Sequence, residues 1–504
     1  MALPIAQCLS PAAAARMFRA PARSLSRRGS QAPREPAPAY TQNLYGPPAV
    51  RGAIQRGHTM ADDMKETKIL EIAKREKVQF VQIQFMDLLG FVKTVTIPTT
   101  KLERALDEGV VFDGSSVVGY ATIEESDMRA HPVPETFRVF PWTSGDLKTA
   151  GIVCNVYDSK GSRFTGDPRY VLELVMKRAR EMGYVPHTGP EYEFFLFKLD
   201  GTGRPTNVPS DSGRYFEQLP MDAGEAVRKK VSLYANEMGF DAEASHHEVA
   251  PGQHEIDLRY ADAMTSADRV MALKHAIRTV ALEHGLHATF MPKPVFGVNG
   301  SGMHVHQSLI TPHGENAFYE PTAKWELSPL MLHYLAGILT YARETCAVLA
   351  SWVNSYKRLV PGYEAPVYIC WANKNRSAMV RIPQGRGMST RMEVRNPDPA
   401  GNPYLQYAAM IAAGLAGIER KLEPPEPMET DIYALTAADR RKLGIASLPG
   451  NLEEALNEFE RSELMRETMG AHVFTHVLYL KRQEWDEYRT RVTDYEVEKF
   501  LPIL

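Results

Sequence analysis

Cysteine is scarce in this chain. There are four in 504 residues, Cys8, Cys154, Cys346 and Cys370, and no two stand in a C-x-x-C spacing. That argues against a disulfide framework and fits thiols kept reduced, so the expectation is a cytoplasmic protein. Long apolar runs are missing too. The nearest, Met331–Val353, is interrupted by Arg343 and Glu344, and no stretch of about 18 uncharged apolar residues is present to cross a bilayer. Neither charge sign dominates: 58 Lys+Arg stand against 61 Asp+Glu, so nothing global points to nucleic acid or an anionic membrane as partner. There is no Walker A sequence, and Asn299-Gly-Ser-Gly302 is no dinucleotide fingerprint. No internal repeat or coiled-coil pattern is found.

What is present begins with length. A chain of 504 residues exceeds one ordinary core and predicts two or more domains. Residues 1–60 stand apart: eight arginines face one acid, Glu35, and prolines interrupt any helix. Such a composition does not bury enough surface to fold. It resembles a transit peptide or an over-called start ahead of Met60. The second reading is favoured, because no clean amphipathic helix is seen and Met60 opens directly onto a helical pattern. Residues 61–165 read as a small α+β domain. They hold a helix over 62–77, strands at Val81–Phe85 and Val92–Ile97 around the turn Asp87-Leu-Leu-Gly90, and a helix near 100–108. Residues 166–504 form the large domain. Helices are predicted over 170–182, 222–238, 260–284, 327–353, 402–422 and 452–469, and residues 200–213 read as a loop.

The chemistry concentrates in four short segments. Glu191 and Glu193 lie two apart in a run of aromatic residues that reads as a strand, so both project from one face. Two acids side by side on a strand form a surface ladder or hold a cation. The pattern recurs in His304-Val-His306, in Glu393-Val-Arg395, and in Asp241-Ala-Glu243-Ala-Ser-His-His-Glu248 leading to Glu255. Four such segments argue for an ionic interior. Glu191, Glu193, Glu248, Glu255 and Glu393 with His304 make an oxygen-rich set suited to Mg²⁺ or Mn²⁺ rather than Zn²⁺. A second window gathers cations: Lys357, Arg358, Arg376, Arg381 and Arg395. Carboxylate-held divalent ions beside several arginines are what phosphoryl transfer requires.

These motifs resemble type I glutamine synthetases of bacteria and archaea. The likeness is carried by Gly-Pro-Glu191-Tyr-Glu193-Phe-Phe, His246-His-Glu248-Val-Ala-Pro-Gly-Gln-His-Glu255, Asn299-Gly-Ser-Gly-Met-His304-Val-His306, Asn354-Ser-Tyr-Lys-Arg358-Leu-Val-Pro-Gly-Tyr-Glu364, Asn375-Arg376-Ser and Met392-Glu393-Val-Arg395. It runs from about residue 64 to the C-terminus. The resemblance implies an α+β architecture: a small β-grasp-like domain, then a catalytic domain whose curved antiparallel sheet lines a bimetal channel ringed by helices. It implies ligation of ammonia to glutamate with ATP as co-substrate, through γ-glutamyl phosphate.

By this resemblance Glu193, Glu248 and Glu255 hold one metal, and Glu191, His304 and Glu393 the other. Glu243, His306 and Ser308 line the nucleotide site, with Arg376 and Arg381 on the phosphates. Asn299, Gly300, Arg358 and Arg395 bind glutamate. Glu364 lies on a flap that shields the acyl phosphate from water. Asp87 and Tyr215 form the ammonium pocket, Asp87 reaching the site of a neighbouring subunit in a dodecamer of two stacked hexamers. No nucleic acid or membrane partner is implied. Tyr433 stands where some members carry a regulatory tyrosine, within surroundings that look like the short form lacking that control. Thr122 replaces an arginine linked to feedback. Leu88-Leu89 departs from the more polar residues usual there and leaves room for methylamine or a polyamine as acceptor. A non-catalytic scaffold relative is the reading from another class, and loss of metal ligands would be its mark.

Overall fold

The structure is a computed structural model. It describes residues 60–120 and 126–504, with side chains from Met64 onward. The N-terminal segment read above as a mis-called start or targeting sequence, and Thr122, lie outside the described residues.

Helix α1 (Met60–Arg75) opens the first layer, followed by strands β1 (Phe80–Met86) and β2 (Val92–Pro98), helix α2 (Leu102–Glu108), and strands β3 (Val110–Asp113), β4 (Asp127–Pro132), β5 (Arg138–Val139) and β6 (Thr149–Tyr157). They form one sheet in the order β2-β1-β6-β4-β3, with β5 beside β6; β1 and β6 run parallel and the other pairs antiparallel. Alternation in the sequence explains the layer: Val81, Ile83 and Phe85 point inward and meet Leu102, Leu106, Ile152 and Val156 in one apolar cluster.

Asp167 caps α3 (Pro168–Glu181) by accepting the Arg169 N–H, with Pro168 in the first turn. The chain then enters β7 (Val185–Leu199), the 15-residue strand at the centre of the large sheet. The elements that follow are β8 (Pro205–Pro209), α4 (Glu225–Glu237), β9 (Ala242–His247), β10 (Gln253–Leu258), β11 (Ala261–Asp262), α5 (Ala263–Glu283), β12 (Leu286–Thr289), β13 (Met303–Ile310), α6 (Pro329–Thr340), α7 (Ala342–Leu349), α8 (Ser355–Arg358), β14 (Trp371–Ala372), β15 (Val380–Arg381), β16 (Met392–Val394), α9 (Pro403–Glu419), α10 (Ala437–Lys442), α11 (Leu452–Arg461) and α12 (Glu463–Arg489). The sheet order is β14-β15-β16-β13-β7-β10-β9, and β8, β11 and β12 also pair with β7. The architecture is α+β.

Helix α9 is apolar on nearly every side and buried along almost its whole length, as its composition predicts. It crosses α6 so closely that a Cβ on Gly337 would come within 2.1 Å of the Ala413 carbonyl and 2.9 Å of Gly417 Cα. Three expectations are corrected. The helix predicted over 327–353 is two helices, broken at Tyr341 (φ −96°, ψ 11°); the break leaves α6 on α9 and turns α7 onto α11 as well. Residues 200–213 hold the short strand β8. The helix predicted over 452–469 ends at Ser462, whose side chain caps α12 by accepting the Met465 N–H.

Candidate functional site

Strand register builds the site. On β7, Glu193 stands opposite Glu255 of β10 and Glu191 opposite Asp257. On its other side, Glu191 stands opposite His304 of β13. One strand further, His306 faces Glu393 of β16, and Glu393 faces Arg381 of β15. At the far edge His246 of β9 faces Glu255. Period-two geometry thus carries acids and imidazoles from five strands onto one concave face. All but His306 line a cavity of about 210 Å³ with Tyr215, Glu248, Asn299, Gly300, Arg358, Glu364, Arg376 and Arg395.

Two electrostatic halves are distinguishable. In the first, His304 Nδ1 lies 2.9 Å from Glu191 Oε2 and His306 Nε2 2.8 Å from Oε1. Burial would raise this carboxyl, yet the bonds to His304 and His306 hold it far below the usual range. Glu393 accepts from Arg381 at 2.8 Å and pairs with Arg395 at 3.0 Å. Burial acts against its charge, but His304 and Arg395 keep it lowered.

The second half is short of positive charge. Among the described residues, Glu193, Glu248, Glu255 and Asp257 pair with no lysine or arginine. Glu193 accepts from Gln253 Nε2 at 2.8 Å and from the Gly302 N–H at 3.0 Å, and His246 lies 3.1 Å from Glu255 and 3.4 Å from Glu248. Burial, then mutual repulsion, pushes these acids upward: Glu248 to about 8 and Asp257 to about 7, with Glu255 well above its ordinary value. Buried oxygens facing one another with so little counter-charge are a donor set for divalent cations. The three-residue groups Glu191–Glu255–His304 and His246–Glu248–Glu255 each bring ligand atoms within 4.8 Å.

The loops close around this face. Asn299 Nδ2 donates to Glu364 at 3.2 Å, and Glu364 itself adopts φ 58°, a left-handed conformation that a glutamate holds only against strain. Arg376 hydrogen-bonds the Tyr215 hydroxyl. Arg358 is buried and donates to the carbonyls of Arg395 (3.0 Å), Asn396 (3.1 Å) and Pro397 (3.2 Å), so it holds the Arg395 segment in place. His306 receives Arg391 Nε at 3.2 Å, and Ser308 continues the same face of β13. Glu243 is exposed on β9, away from the cavity lining.

Asp87 sits in the turn between β1 and β2. It is absent from the cavity and its side chain is 1% exposed, ion-paired with Lys93 at 3.0 Å and accepting the Phe91 N–H at 2.9 Å. Its carbonyl is held by Asn402 Nδ2 at 2.9 Å. Within its own chain this carboxylate stabilises the β1–β2 turn. Residues not singled out from the sequence include His246, Gln253, Asp257 and Tyr363. Asp257 was within reach of the alternation rule, since it stands two after Glu255 on the same strand. Behind the face lies a buried network in which Arg228 bridges Asp222 (2.6 and 3.0 Å) and His254 Nδ1 (2.7 Å), while His247 bonds Asp211 at 2.9 Å. It backs β9 and β10, the strand ends next to Glu248 and Glu255.

Two family models match the chain: the glutamine synthetase catalytic domain over residues 165–500 and the glutamine synthetase beta-Grasp domain over residues 77–159. A glutamine synthetase of Methanosarcina mazei is 48% identical over 436 residues, covering 86% of this chain and 97% of that protein. One of Staphylococcus epidermidis is 49% identical over 434 residues, with the same shares. Among solved structures, those described as "GmaS/ADP complex-Conformation 1" and "Apo GmaS without ligand" are each 32% identical with a TM-score of 0.78, covering 86% of this chain and 99% of theirs. With a catalytic-domain model spanning most of its length, and an acid-lined cavity assembled by cross-strand register, this chain belongs to the glutamine synthetase family of enzymes.

Proposed function

We propose that the protein joins ammonia to the γ-carboxylate of L-glutamate, consuming ATP and yielding glutamine, ADP and phosphate through γ-glutamyl phosphate. The observation that carries this reading is the register that stacks Glu193 on Glu255 and Glu191 on His304 within one cavity, with His306 beside Glu393 at its edge. Glu193, Glu248 and Glu255 would hold one Mg²⁺ or Mn²⁺, and Glu191, His304 and Glu393 a second. Bound there, such ions neutralise phosphate oxygens and lower the barrier to phosphoryl transfer.

The chain's own groups supply the rest. Asn299, Gly300 and Arg395 orient glutamate, and Arg358 acts by fixing the Arg395 backbone. His306 and Ser308 extend the face toward the nucleotide, and Glu243, exposed on β9, would contact the nucleotide from outside the cavity. Arg376 and Arg381 stabilise the charge that develops as a glutamate γ-oxygen attacks the terminal phosphorus of ATP and ADP departs. Tyr215, with Asp87 reaching in from a neighbouring subunit, attracts ammonium. Once its proton passes to a carboxylate, ammonia attacks the acyl carbon and phosphate leaves with the C–O electrons. Glu364, on its strained turn, keeps water from the acyl phosphate until then. The assembly proposed is a dodecamer of two stacked hexamers, which sedimentation would check, and the setting is cytoplasmic. Among the described residues no helix is long and apolar enough to cross a membrane.

The test is ATP-dependent turnover with glutamate and ammonium, methylamine or putrescine. Ammonium is expected to lead by orders of magnitude in kcat/KM. A preference for an organic amine, or no amide from any of them, would overturn the proposal.

A further inference from the structure

The segment Met428–Ala434 touches both loops that close over the cavity. At one end it clamps the Arg376 loop. The Glu429 carboxylate accepts the Asn373 N–H at 2.7 Å, the Asn373 side-chain amide at 3.1 Å and the Lys374 N–H at 3.2 Å. Asn375 Nδ2 returns bonds to the carbonyls of Met428 (3.2 Å) and Thr430 (2.7 Å), while its Oδ1 accepts from the Ser377 N–H and hydroxyl at 2.9 and 2.7 Å. The turn that aims Arg376 therefore has its backbone donors and its own asparagine satisfied by this segment. At the other end, the Tyr433 hydroxyl donates at 2.6 Å to the carbonyl of Ala365, the residue after Glu364. Asp431 fixes the short turn carrying Tyr433 by accepting its N–H at 3.0 Å. Ile432 is fully buried in a small apolar cluster with Tyr368, Cys370, Ala372 and Ala378, apart from the main core.

We propose that Met428–Ala434 is a strap that ties the Glu364 flap to the Arg376 loop, with Tyr433 and Glu429 as positioning residues for the closed site. Three residues separate the two anchors, Glu429 and Tyr433, and a segment fixed by an apolar plug and an Asx turn transmits displacement instead of absorbing it. Glu364 keeps φ 58° and reaches Asn299 only while the following carbonyl is held. A residue placed in a strained conformation needs neighbours that over-determine it, and Tyr433 is such a neighbour. Closing the flap and aiming Arg376 thus become one event. The acyl phosphate is made only when the loop that stabilises its formation and the flap that excludes water are both in place.

This inference rests on the function proposed above. Its test uses the full chain and compares Tyr433→Phe and Glu429→Gln with the unaltered protein. Tyr433→Phe keeps the ring and removes one neutral hydrogen bond, the equivalent of a roughly fivefold shift toward the open flap. Phosphate released per amide formed is expected to rise from unity to about two or more in Tyr433→Phe, with little change in the KM for glutamate. Glu429→Gln is expected to lower kcat through Arg376 as well. A fold that is merely weakened would lower the active fraction without altering that ratio. A ratio of unity in Tyr433→Phe would overturn the strap. Should the unaltered protein make no amide at all, the proposed function fails. Deuterium uptake of residues 361–367 then decides the strap alone: faster exchange in Tyr433→Phe supports it, and identical exchange refutes it.

Discussion

Replacing Glu248 with glutamine is expected to make the metal-free protein more stable at neutral pH. Burial and the facing Glu193 push the Glu248 carboxyl from its ordinary 4.5 up to about 8. The folded chain therefore keeps a proton that the unfolded chain releases between those values. The group's contribution is fully present below pH 4.5 and is lost as pH rises through 8. At pH 7 the loss spans about 2.5 pH units at about 1.4 kcal/mol each, or roughly 3 kcal/mol. With the side chain only 13% exposed, solvent screening reduces this little. Glutamine carries no such term. Urea unfolding of both proteins after chelation, at pH 5 and pH 7, should show the variant's advantage growing by about 2–3 kcal/mol between the two. Saturating Mn²⁺ should reverse the order: a site filled at a hundredfold excess over Kd adds about 2.7 kcal/mol to the unaltered protein and less to the variant. An advantage that does not depend on pH, or equal stabilisation of both proteins by metal, would refute the account of the acidic half.

Three further outcomes are expected. Asp87→Asn should lower unfolding free energy by about 2–3 kcal/mol, below the range for fully buried pairs because Lys93 is 35% exposed, and should weaken ammonium use far more than glutamate-dependent ATP cleavage; equal loss of both would remove Asp87 from the ammonium pocket. Burial brings the Lys274 amine from 10.5 down to about 7, so the unfolded chain holds a proton the folded chain has released, and stability should climb between pH 7 and 9 by roughly 2–3 kcal/mol. Lys274→Met should abolish that climb in chemical denaturation. Gly337→Ala should lower Tm by forcing α6 off α9, at a cost of about 1–3 kcal/mol or more; an unchanged Tm would mean the crossing is looser than described.

How much of this was legible in the sequence depends on how local the cause is. The acids of the site were readable because alternation along a strand is a two-residue rule, and Glu191, Glu193, His304 and His306 obey it. Asp257 obeys it equally, two residues after Glu255, but stands just past the His246–Glu255 motif that marks the metal-binding acids. Asp87 could not be placed from its neighbours. Its turn is locked by Asn402, 315 residues away, and only tertiary packing shows whether a turn aspartate faces solvent, another chain or its own interior. The break at Tyr341 has the same origin. The sequence on both sides of it favours helix, with no proline or glycine at the break, and the division follows from where α11 lies.

Strand β7 pairs with β13 from Val185 to Tyr192 and with β10 from Glu191 to Phe195, and β8, β11 and β12 take further stretches of it. Its side chains are thereby committed to two opposite sides at once, Tyr192, Phe194 and Leu196 to the main apolar core and Glu191 and Glu193 to the cavity. Swapping one residue type for a similar one asks only for local adjustment. Adding or deleting a single residue near Tyr192 would turn Glu193 into the apolar core and Phe194 toward the ions. The length of this segment is thus a stricter inheritance than its composition, and a loop insertion intended to retune the enzyme has to be placed beyond its two ends.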